Sequence, residues 1–573
     1  MKKLSKFLPA LTWLKNYQAS DLKSDTVASV VFTIMVIPQS MAYAMLAGLP
    51  AITGLYASIL PSILYSFFGT SRSLAVGPVA LSSVMTASAV LPFATAGSEQ
   101  YTTIAIYLAF MSGICLLVLS LLRLGFLTNL LSHPVISGFI SASALLIVIG
   151  QLKYLFGIEA HGDTLLPLAE SLYTNINNTN LPTFILSLIS ILSLLLIRRY
   201  FSFFLNKIGC SKRAIQLFGK SGPLLVVISA TLIVAAFSLE NMGISIIGGI
   251  SSKPLEINVE GISWKMTKEL LPSAFLISIV GFIGSVSVAQ SFAAKRNQDI
   301  DPNQELIGLG LANIGSALCG AFPVTGGFSR TVLNVDCGSK SPMTGIISAL
   351  LILLILLILL FLTPLFYYLP KAILAAIISI SMMQLVNIQD LLYLWSFSKK
   401  EAYLLLITFS IVMLDGMESG LIVGVVLSIL FFLWHTSHPH IAVVGRLPGT
   451  EHFRNIQRFS VETNPSILTV RIDENLFFAN ASILEEKLQY LVSQNSDVRH
   501  LILMCNAINM IDASALQSLE KIVYRLASLG VKLHLSEVKG PVMDRIKNSP
   551  LVNNLSGKVF LTQHQAIKEL EAE

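Results

Sequence analysis

The sequence predicts an α-helical polytopic membrane protein followed by a small soluble α/β domain. Three observations carry this. Of 573 residues, 54% are hydrophobic and 12% charged, with mean hydropathy +0.73, whereas a soluble chain carries about 25% charged residues. Residues 26–437 form a train of apolar segments, most of them close to the ~20 residues needed to cross a bilayer. After His438-Pro439-His440 the pattern changes to short alternating strand and helix periods.

Residues 1–25 are polar and basic, with Lys2, Lys3, Lys6, Lys15 and Lys23, and read as a cytoplasmic lead-in without a cleavable signal peptide. Full spans are expected at 27–47, 51–69, 101–122, 135–156, 182–197, 223–237, 271–294, 345–362, 371–385, 403–414 and 421–434. Segments 73–91 and 328–336 are weaker and interrupted by Gly and Pro. The Gly-rich stretch 305–320 is expected to pack closely against its neighbours. Basic residues gather in the N-terminus, in the loop from Arg198-Arg199 through Lys207, Lys212-Arg213 and Lys220, and in Lys295-Arg296 and Lys399-Lys400. Placing these inside makes both ends of the membrane region cytoplasmic. Hydropathy alone leaves twelve to fourteen spans open.

The net charge of +6 is spread over loops and termini, so no basic stripe points to nucleic acid. Cys115, Cys210, Cys319, Cys337 and Cys505 form no CxxC pair, and neither a disulfide nor a zinc site is expected. His435, His438 and His440 have no acidic or cysteine residue close by in the sequence and are expected to form an interfacial belt, not a metal site. No cofactor is implied. No Ser-His-Asp or HExxH arrangement is present, so an enzyme is not expected.

Arg330 is the most informative residue. It follows Phe322-Pro323-Val324-Thr325-Gly326-Gly327-Phe328-Ser329 between two long apolar segments. A charge at membrane depth costs about 2.5–3.5 kcal/mol on insertion scales and marks function by default. Pro323 and the Gly pair interrupt a continuous helix. A helix restarting near Phe328 aims free N–H groups and a positive dipole end at the same place, which is an anion site. The alternative is an arginine that snorkels to an interface from a short loop; the flanking break and polar Ser329 and Thr331 weigh toward a site. Gly77-Pro78-Val79-Ala80 is the corresponding broken segment of the first half. Such a matched pair is the best sequence pointer to a transporter binding site, and it predicts seven plus seven segments with half-helices facing each other near the midplane. Gly77-Pro78 alone would read equally well as a kink, and Gln39 as a helix–helix contact.

Residues 438–465 read as a linker and 466–573 as the soluble domain. Within it, Ile467–Ile472 is expected as an alternating strand, 481–492 as an amphipathic helix, His500–Met504 as a buried strand, and 513–527, 531–535 and 563–571 as helix, strand and helix.

The residues resemble the SulP family of anion transporters, the prestin and pendrin type. The resemblance is carried by Pro38-Gln39-Ser40-Met41-Ala42-Tyr43-Ala44, Gly54-Leu55-Tyr56, Gly69-Thr70-Ser71-Arg72 with Gly77-Pro78, Gln304-Glu305-Leu306, the Arg330 segment and Pro439-His440-Ile441-Ala442-Val443-Val444-Gly445-Arg446-Leu447-Pro448-Gly449-Thr450. The C-terminal part is similar to a STAS domain, with Ile511-Asp512-Ala513-Ser514-Ala515-Leu516 at its signature turn. The resemblance implies fourteen spans in two inverted repeats, core and gate domains, elevator-type movement, a homodimer in the inner (plasma) membrane, and anions such as sulfate, bicarbonate, chloride or dicarboxylates. It places Gln39, Tyr43, Pro78, Val79, Ala80, Phe328, Ser329, Arg330 and Asn387, with Gln389 beside it, at the substrate site.

One departure matters. Many bacterial members that look like proton-coupled sulfate or dicarboxylate carriers have a glutamate after a Gly-Phe-x pattern in the eighth span; here Val280-Gly281-Phe282-Ile283-Gly284-Ser285 has Gly284 there. Asp415 and Glu418 are the remaining acidic coupling candidates, although flanking Gly416 they read more simply as a tight turn. Asp512 and Ser514 open a helix as ordinary caps; the STAS likeness adds a regulatory phosphoserine at Ser514 and a cytoplasmic protein partner. The expected function is a secondary transporter of a small inorganic anion, sulfate first. The alternatives are a bicarbonate, chloride or dicarboxylate exchanger, an uncoupled channel, or a STAS-containing receptor, for which no output domain is evident.

Overall fold

Apolar helices fill the first of two units, Met1–Ser428, and a mixed sheet organises the second, Ile429–Glu573. The structure is a computed structural model that describes residues 7–129, 132–162, 164–207, 222–248, 263–361 and 367–573. Lys2, Lys3, Lys6, Lys212, Arg213, Lys220 and Cys210 lie outside the described residues.

In the first unit, helix α1 (Ala19–Leu46) contains Pro38 and at 1.5 Å per residue is about 42 Å long, enough to cross the ~30 Å hydrocarbon layer. The stretch 51–69, expected as one span, is two short helices. They are Ile52–Tyr56 and α2 (Leu60–Phe68), with a break at Ala57–Ile59 ahead of Pro61. Proline fixes φ and offers no N–H, so it opens the second helix instead of continuing the first. Beyond Gly69 the chain forms a two-residue strand, β1 (Val76–Gly77), then helix α3 (Ala80–Val90). That helix spans only about 16 Å and so reaches part-way across a bilayer. Helices α4 (Glu99–Leu121), α5 (His133–Phe156) and α6 (Trp264–Arg296) are full length.

Helix α7 (Pro302–Leu318) starts on Asp301, whose side chain accepts from the Asn303 and Gln304 N–H groups, with Pro302 in its first turn. Its glycines permit the close packing expected of this stretch. A Cβ on Gly308 would lie 3.0 Å from the Gly69 backbone, and one on Gly310 would lie 3.1 Å from the Gly113 carbonyl of α4. Strand β2 (Thr325–Gly326) and helix α8 (Phe328–Asp336) follow. β1 and β2 pair antiparallel with Val76 opposite Gly326 and Gly77 opposite Thr325. The two weak segments singled out by their Gly and Pro residues are thus joined as one ribbon, and a half-helix leaves each end of it.

Helix α9 (Lys371–Met383) is followed by α10 (Ile388–Phe397), α11 (Lys399–Asp415) and α12 (Met417–Ser437). The α10 helix was not expected; its ten residues fell between two hydropathy peaks. Among the described residues, five helical stretches are long and apolar enough to cross a membrane singly.

In the second unit a six-stranded sheet runs in the order β4-β3-β5-β6-β7-β8. The strands are β3 (Ile441–Arg446), β4 (Phe453–Asn455), β5 (Ile467–Ile472), β6 (His500–Met504), β7 (Lys532–Ser536) and β8 (Val559–Phe560). β3 is antiparallel to both β4 and β5, and the rest are parallel. Residues 438–465, expected as a linker, supply the β3–β4 hairpin, so the sheet begins earlier than its composition suggested. β5 does not alternate. Leu468, Val470 and Ile472 pack on one apolar cluster and Ile467 on another, because a strand between two layers is buried on both faces. Helices α13 (Ala481–Ser493), α14 (Ala513–Ser528) and α15 (Gln563–Leu570) match their expected positions. Gly540–Ile546 and Pro550–Asn554 add two short helices.

Candidate functional site

Pro78 lacks the N–H that would extend the ribbon, and Val79 is extended at φ −136°, ψ 153°. The α3 helix therefore begins only at Ala80. On the opposite arm Gly327, at φ −99°, ψ 135°, hands over to α8 at Phe328. Each half-helix leaves free first-turn N–H groups at the crossing. The glycines are there for space: a Cβ on Gly77 would run into the Arg330 guanidinium, and one on Gly326 would lie 2.7 Å from Leu74.

Arg330 is 2% exposed. Its Nη1 donates to the Pro78 carbonyl at 3.1 Å and its Nη2 to Ser58 Oγ at 3.3 Å, while Nε has no protein partner. The cation therefore lies behind the ribbon, bridging the break between Tyr56 and Leu60 to the first arm. From there it acts on the crossing chiefly through its field, with much of its donor capacity already committed to protein acceptors. Ser40 and Ser58 hydroxyls share a 3.0 Å hydrogen bond that holds this dock. On α1, Gln39 Nε2 donates to the Tyr43 hydroxyl at 2.8 Å and reaches Ser329 Oγ at 3.5 Å.

A cavity of about 130 Å³ opens at the crossing, lined by Tyr43, Val79, Ala80, Phe328, Ser329 and Arg330 among others. Its far wall is mostly apolar, from Ile140, Ala144 and Ile147 of α5 and Met382 and Leu385 at the end of α9, with the Ser143 hydroxyl of α5 among them. Gly284 also lines it, and a Cβ there would meet nothing within 4 Å.

The structure thus brings together Gln39, Tyr43, Val79, Ala80, Phe328, Ser329 and Arg330. Pro78 contributes its carbonyl to Arg330. Asn387 is placed differently. It is exposed, caps α10 by accepting from the Gln389 and Asp390 N–H groups at 3.1 and 3.3 Å, and does not line the cavity. Gln389 is exposed beside it. A short polar helix start served both as a cap and as a family motif, and the geometry favours the cap. Asp415 is exposed at the end of α11, and Gly416 follows at φ +101°, the region that favours glycine. Glu418 lies in the first turn of α12; its side chain is outside the described residues.

Sequence reasoning gave no role to three buried groups. Ser58 was hidden in what looked like a continuous span. Glu305 is 0% exposed and accepts from the Tyr65 hydroxyl and from Thr70 and Ser71. Asp25, also 0% exposed, accepts from Tyr17, the Lys340 N–H and Ser341, tying the start of α1 to the loop after α8. Both carboxylates stand where a polar stretch meets an apolar run, so along the chain they look like ordinary helix-start acids.

In the second unit Asp512 caps α14, accepting from the Ala515 N–H at 2.8 Å and from the Phe478 N–H at 2.8 Å; Ser514 is exposed. His500 Nδ1 and His534 Nε2 are 3.1 Å apart, and His534 Nδ1 accepts from the Lys558 N–H. Burial, with the neighbouring His500 second, pushes His534 down to about 4.

A sequence profile described as the sulfate permease family matches residues 22–408, and one described as the STAS domain matches residues 458–566. The chain is 35% identical over 575 residues to sulfate transporter 4.1, chloroplastic, of Arabidopsis thaliana, covering 98% of this chain and 82% of that one. It is 30% identical over 563 residues to a probable sulfate transporter of Mycobacterium tuberculosis, covering 98% and 97%. The murine Slc26a9 anion transporter in its inward-facing state has the same fold, with TM-score 0.90 over 100% of this chain and 95% of that one at 24% identity. The transmembrane domain of a cyanobacterium bicarbonate transporter aligns over 72% of this chain and 98% of that one, with TM-score 0.57 and 20% identity. With most of its length matched by the family profile and a relative at 35% identity along nearly all of it, the chain belongs to the sulfate permease family of membrane anion transporters and carries a C-terminal STAS domain.

Proposed function

We propose that the protein is a secondary transporter that moves a small inorganic anion, sulfate first, across the cytoplasmic membrane, holding it between the ends of α3 and α8. The observation that carries this is the β1–β2 ribbon, which brings two half-helix N-termini to one cavity with a buried arginine docked beside them. Each helix end carries about +0.5 charge and the guanidinium a full one, so the field at the crossing approaches two positive charges. That matches a doubly charged anion better than chloride. The apolar wall lowers the local dielectric and strengthens the attraction.

In this reading residues 26–437 are the transport domain, with fourteen spans in two inverted repeats and elevator-type movement. Residues 466–573 are the core of a cytoplasmic STAS domain, regulated through Asp512–Ser514 or by a protein partner there. The molecule works as a homodimer with both termini inside. With Gly284 lining the cavity, no carboxylate stands where the family's proton-coupled members have one. The second reading, an exchanger or uncoupled path for bicarbonate, chloride or dicarboxylate, draws on that same glycine. Asp415 and Glu418 are the coupling candidates if protons do drive transport.

Uptake of labelled sulfate, bicarbonate, chloride and fumarate into proteoliposomes, with and without an inward proton gradient, separates these readings. Sulfate uptake that persists when the gradient is dissipated supports the first. Uptake of chloride or bicarbonate without sulfate supports the second. A large loss of sulfate uptake on dissipating the gradient assigns coupling to another carboxylate.

A further inference from the structure

The two arms of the ribbon do not hold themselves in place. Two residue pairs make a ladder too short to fix its own register. On the ribbon itself, Ser62 Oγ of α2 donates to the Val76 carbonyl and Ser285 Oγ of α6 accepts from the Gly326 N–H; the chain leading into both arms is gripped by one helix, α7, which does not carry the anion-facing groups.

Near its start α7 grips the first arm. Glu305 Oε2 accepts from the Tyr65 hydroxyl at 2.7 Å, and Oε1 accepts from the Thr70 N–H at 2.6 Å, the Thr70 hydroxyl at 2.6 Å and the Ser71 N–H at 3.2 Å. Next to it, Gln304 Nε2 donates to the Phe68 carbonyl at 2.8 Å. These bonds fix the chain from Phe68 to Ser71, five residues before β1. Two turns on, α7 grips the second arm. Asn313 Nδ2 donates to the Val324 carbonyl and Asn313 Oδ1 accepts from the Val324 N–H, both at 2.9 Å, immediately before β2. Ser316 Oγ donates to the Phe322 carbonyl at 2.6 Å. Glu305 and Asn313 are 0% and 2% exposed.

We propose that Glu305 and Asn313 are positioning residues: through them α7 sets the spacing between the two half-helix ends and hence the affinity for the anion. The proposal rests on the reading of the crossing as the anion site. Leaving four donors without their acceptor, two of them fully buried, is costly, so the loop shifts when the Glu305 side chain is removed, and β1 shifts with it. Glutamine keeps one oxygen for Thr70 and Ser71 and can turn its amide toward the Tyr65 oxygen. Geometry is then retained although the charge is gone.

The test is concentration-dependent sulfate uptake by full-length protein in proteoliposomes, normalised to folded protein by gel filtration. Glu305→Ala and Asn313→Ala are expected to raise half-saturation about tenfold or more with a smaller change in maximal rate, because the binding groups lose their supporting contacts. Glu305→Gln is expected to stay within about twofold of wild type, since the contacts that fix geometry survive. Wild-type half-saturation in folded Glu305→Ala overturns the proposal. So does Glu305→Gln as impaired as Glu305→Ala, which would make the charge, not the geometry, the active property. If Glu305→Ala yields no folded protein, Thr70→Val takes its place with the same expected rise, Thr70→Ser restores wild-type behaviour, and an unchanged Thr70→Val overturns the proposal. Ser329→Ala separates the two levels. If it weakens sulfate while the α7 variants do not, the positioning role alone fails. If neither it nor they alter half-saturation, the site itself lies elsewhere.

Discussion

The ribbon crossing and the STAS sheet obey opposite logic. In the sheet every local preference agrees with the fold: apolar β5, β6 and β7 lie between two helix layers, and Asp512 and Thr562 cap the helices that follow them. At the crossing nearly every preference is broken. Two strands of two residues stand in an apolar setting, a proline and paired glycines interrupt the helices, and a buried arginine has no carboxylate partner at ion-pair distance among the described residues. Local conflict held in place by surrounding contacts marks function, and local agreement marks stability.

The largest expected effect tests the crossing. Arg330→Ala removes the full charge from the field and should abolish, or weaken by at least about tenfold, sulfate uptake while the protein still elutes as a folded species. Unchanged transport affinity would mean that the arginine is merely a strut. A second substitution pair sharpens the same point through space alone. Gly77→Ala drives a methyl into the guanidinium and should cost about 1–3 kcal/mol in stability or displace Arg330, with uptake falling accordingly. Gly284→Ala on the cavity wall meets open space and, being inside helix α6, should hold or slightly raise the melting midpoint. Equal behaviour of the two would show that crowding at the ribbon is not what holds the arginine.

Much of this contrast was legible in the sequence. The paired Gly/Pro breaks and the charge at Arg330 located the ribbon, and the strand periods of the second unit placed β5, β6 and β7 within a residue. What was not legible is instructive. The break at Ala57–Ile59 has no glycine and only a following proline, so Ser58 looked like one more small residue in a span. The β3–β4 hairpin lies just after the last apolar helix, and its short alternation was read as a connection. Glu305 was quoted as a motif residue, but nothing in its neighbours along the chain shows that Thr70, more than two hundred positions away, is its partner. Long-range hydrogen bonds leave no local signature.

Removal of the STAS domain should reduce amount more than character. Because β3 begins at Ile441, a clean truncation ends at Ser437, the last residue of α12. Expression or rate should fall while the order of preference among sulfate, chloride and bicarbonate stays the same in proteoliposome uptake. A folded truncation with a changed preference would place specificity outside the crossing.

The smallest effect concerns acid. His534 sits near 4 in the fold, below the ~6.5 of an unfolded histidine. Above pH 6.5 both states are neutral and stability is unaffected. As pH falls from about 6.5 toward 4 the unfolded state takes up a proton that the fold refuses, so the STAS unit loses stability across that window and levels off below it. Melting of the full chain followed by tryptophan-independent circular dichroism should show this decline, and His534→Gln should flatten it. An equally steep decline in the variant would assign it to other groups.

The most direct test is to locate the anion. Selenate, a heavier stand-in for sulfate, can be added to the purified protein and found by cryo-electron microscopy. Density between the first turns of α3 and α8, within hydrogen-bonding reach of Ser329 and the free N–H groups at Ala80 and Phe328, is the result expected. Selenate bound elsewhere in the membrane unit, with that cavity empty at saturating concentration, would contradict the account.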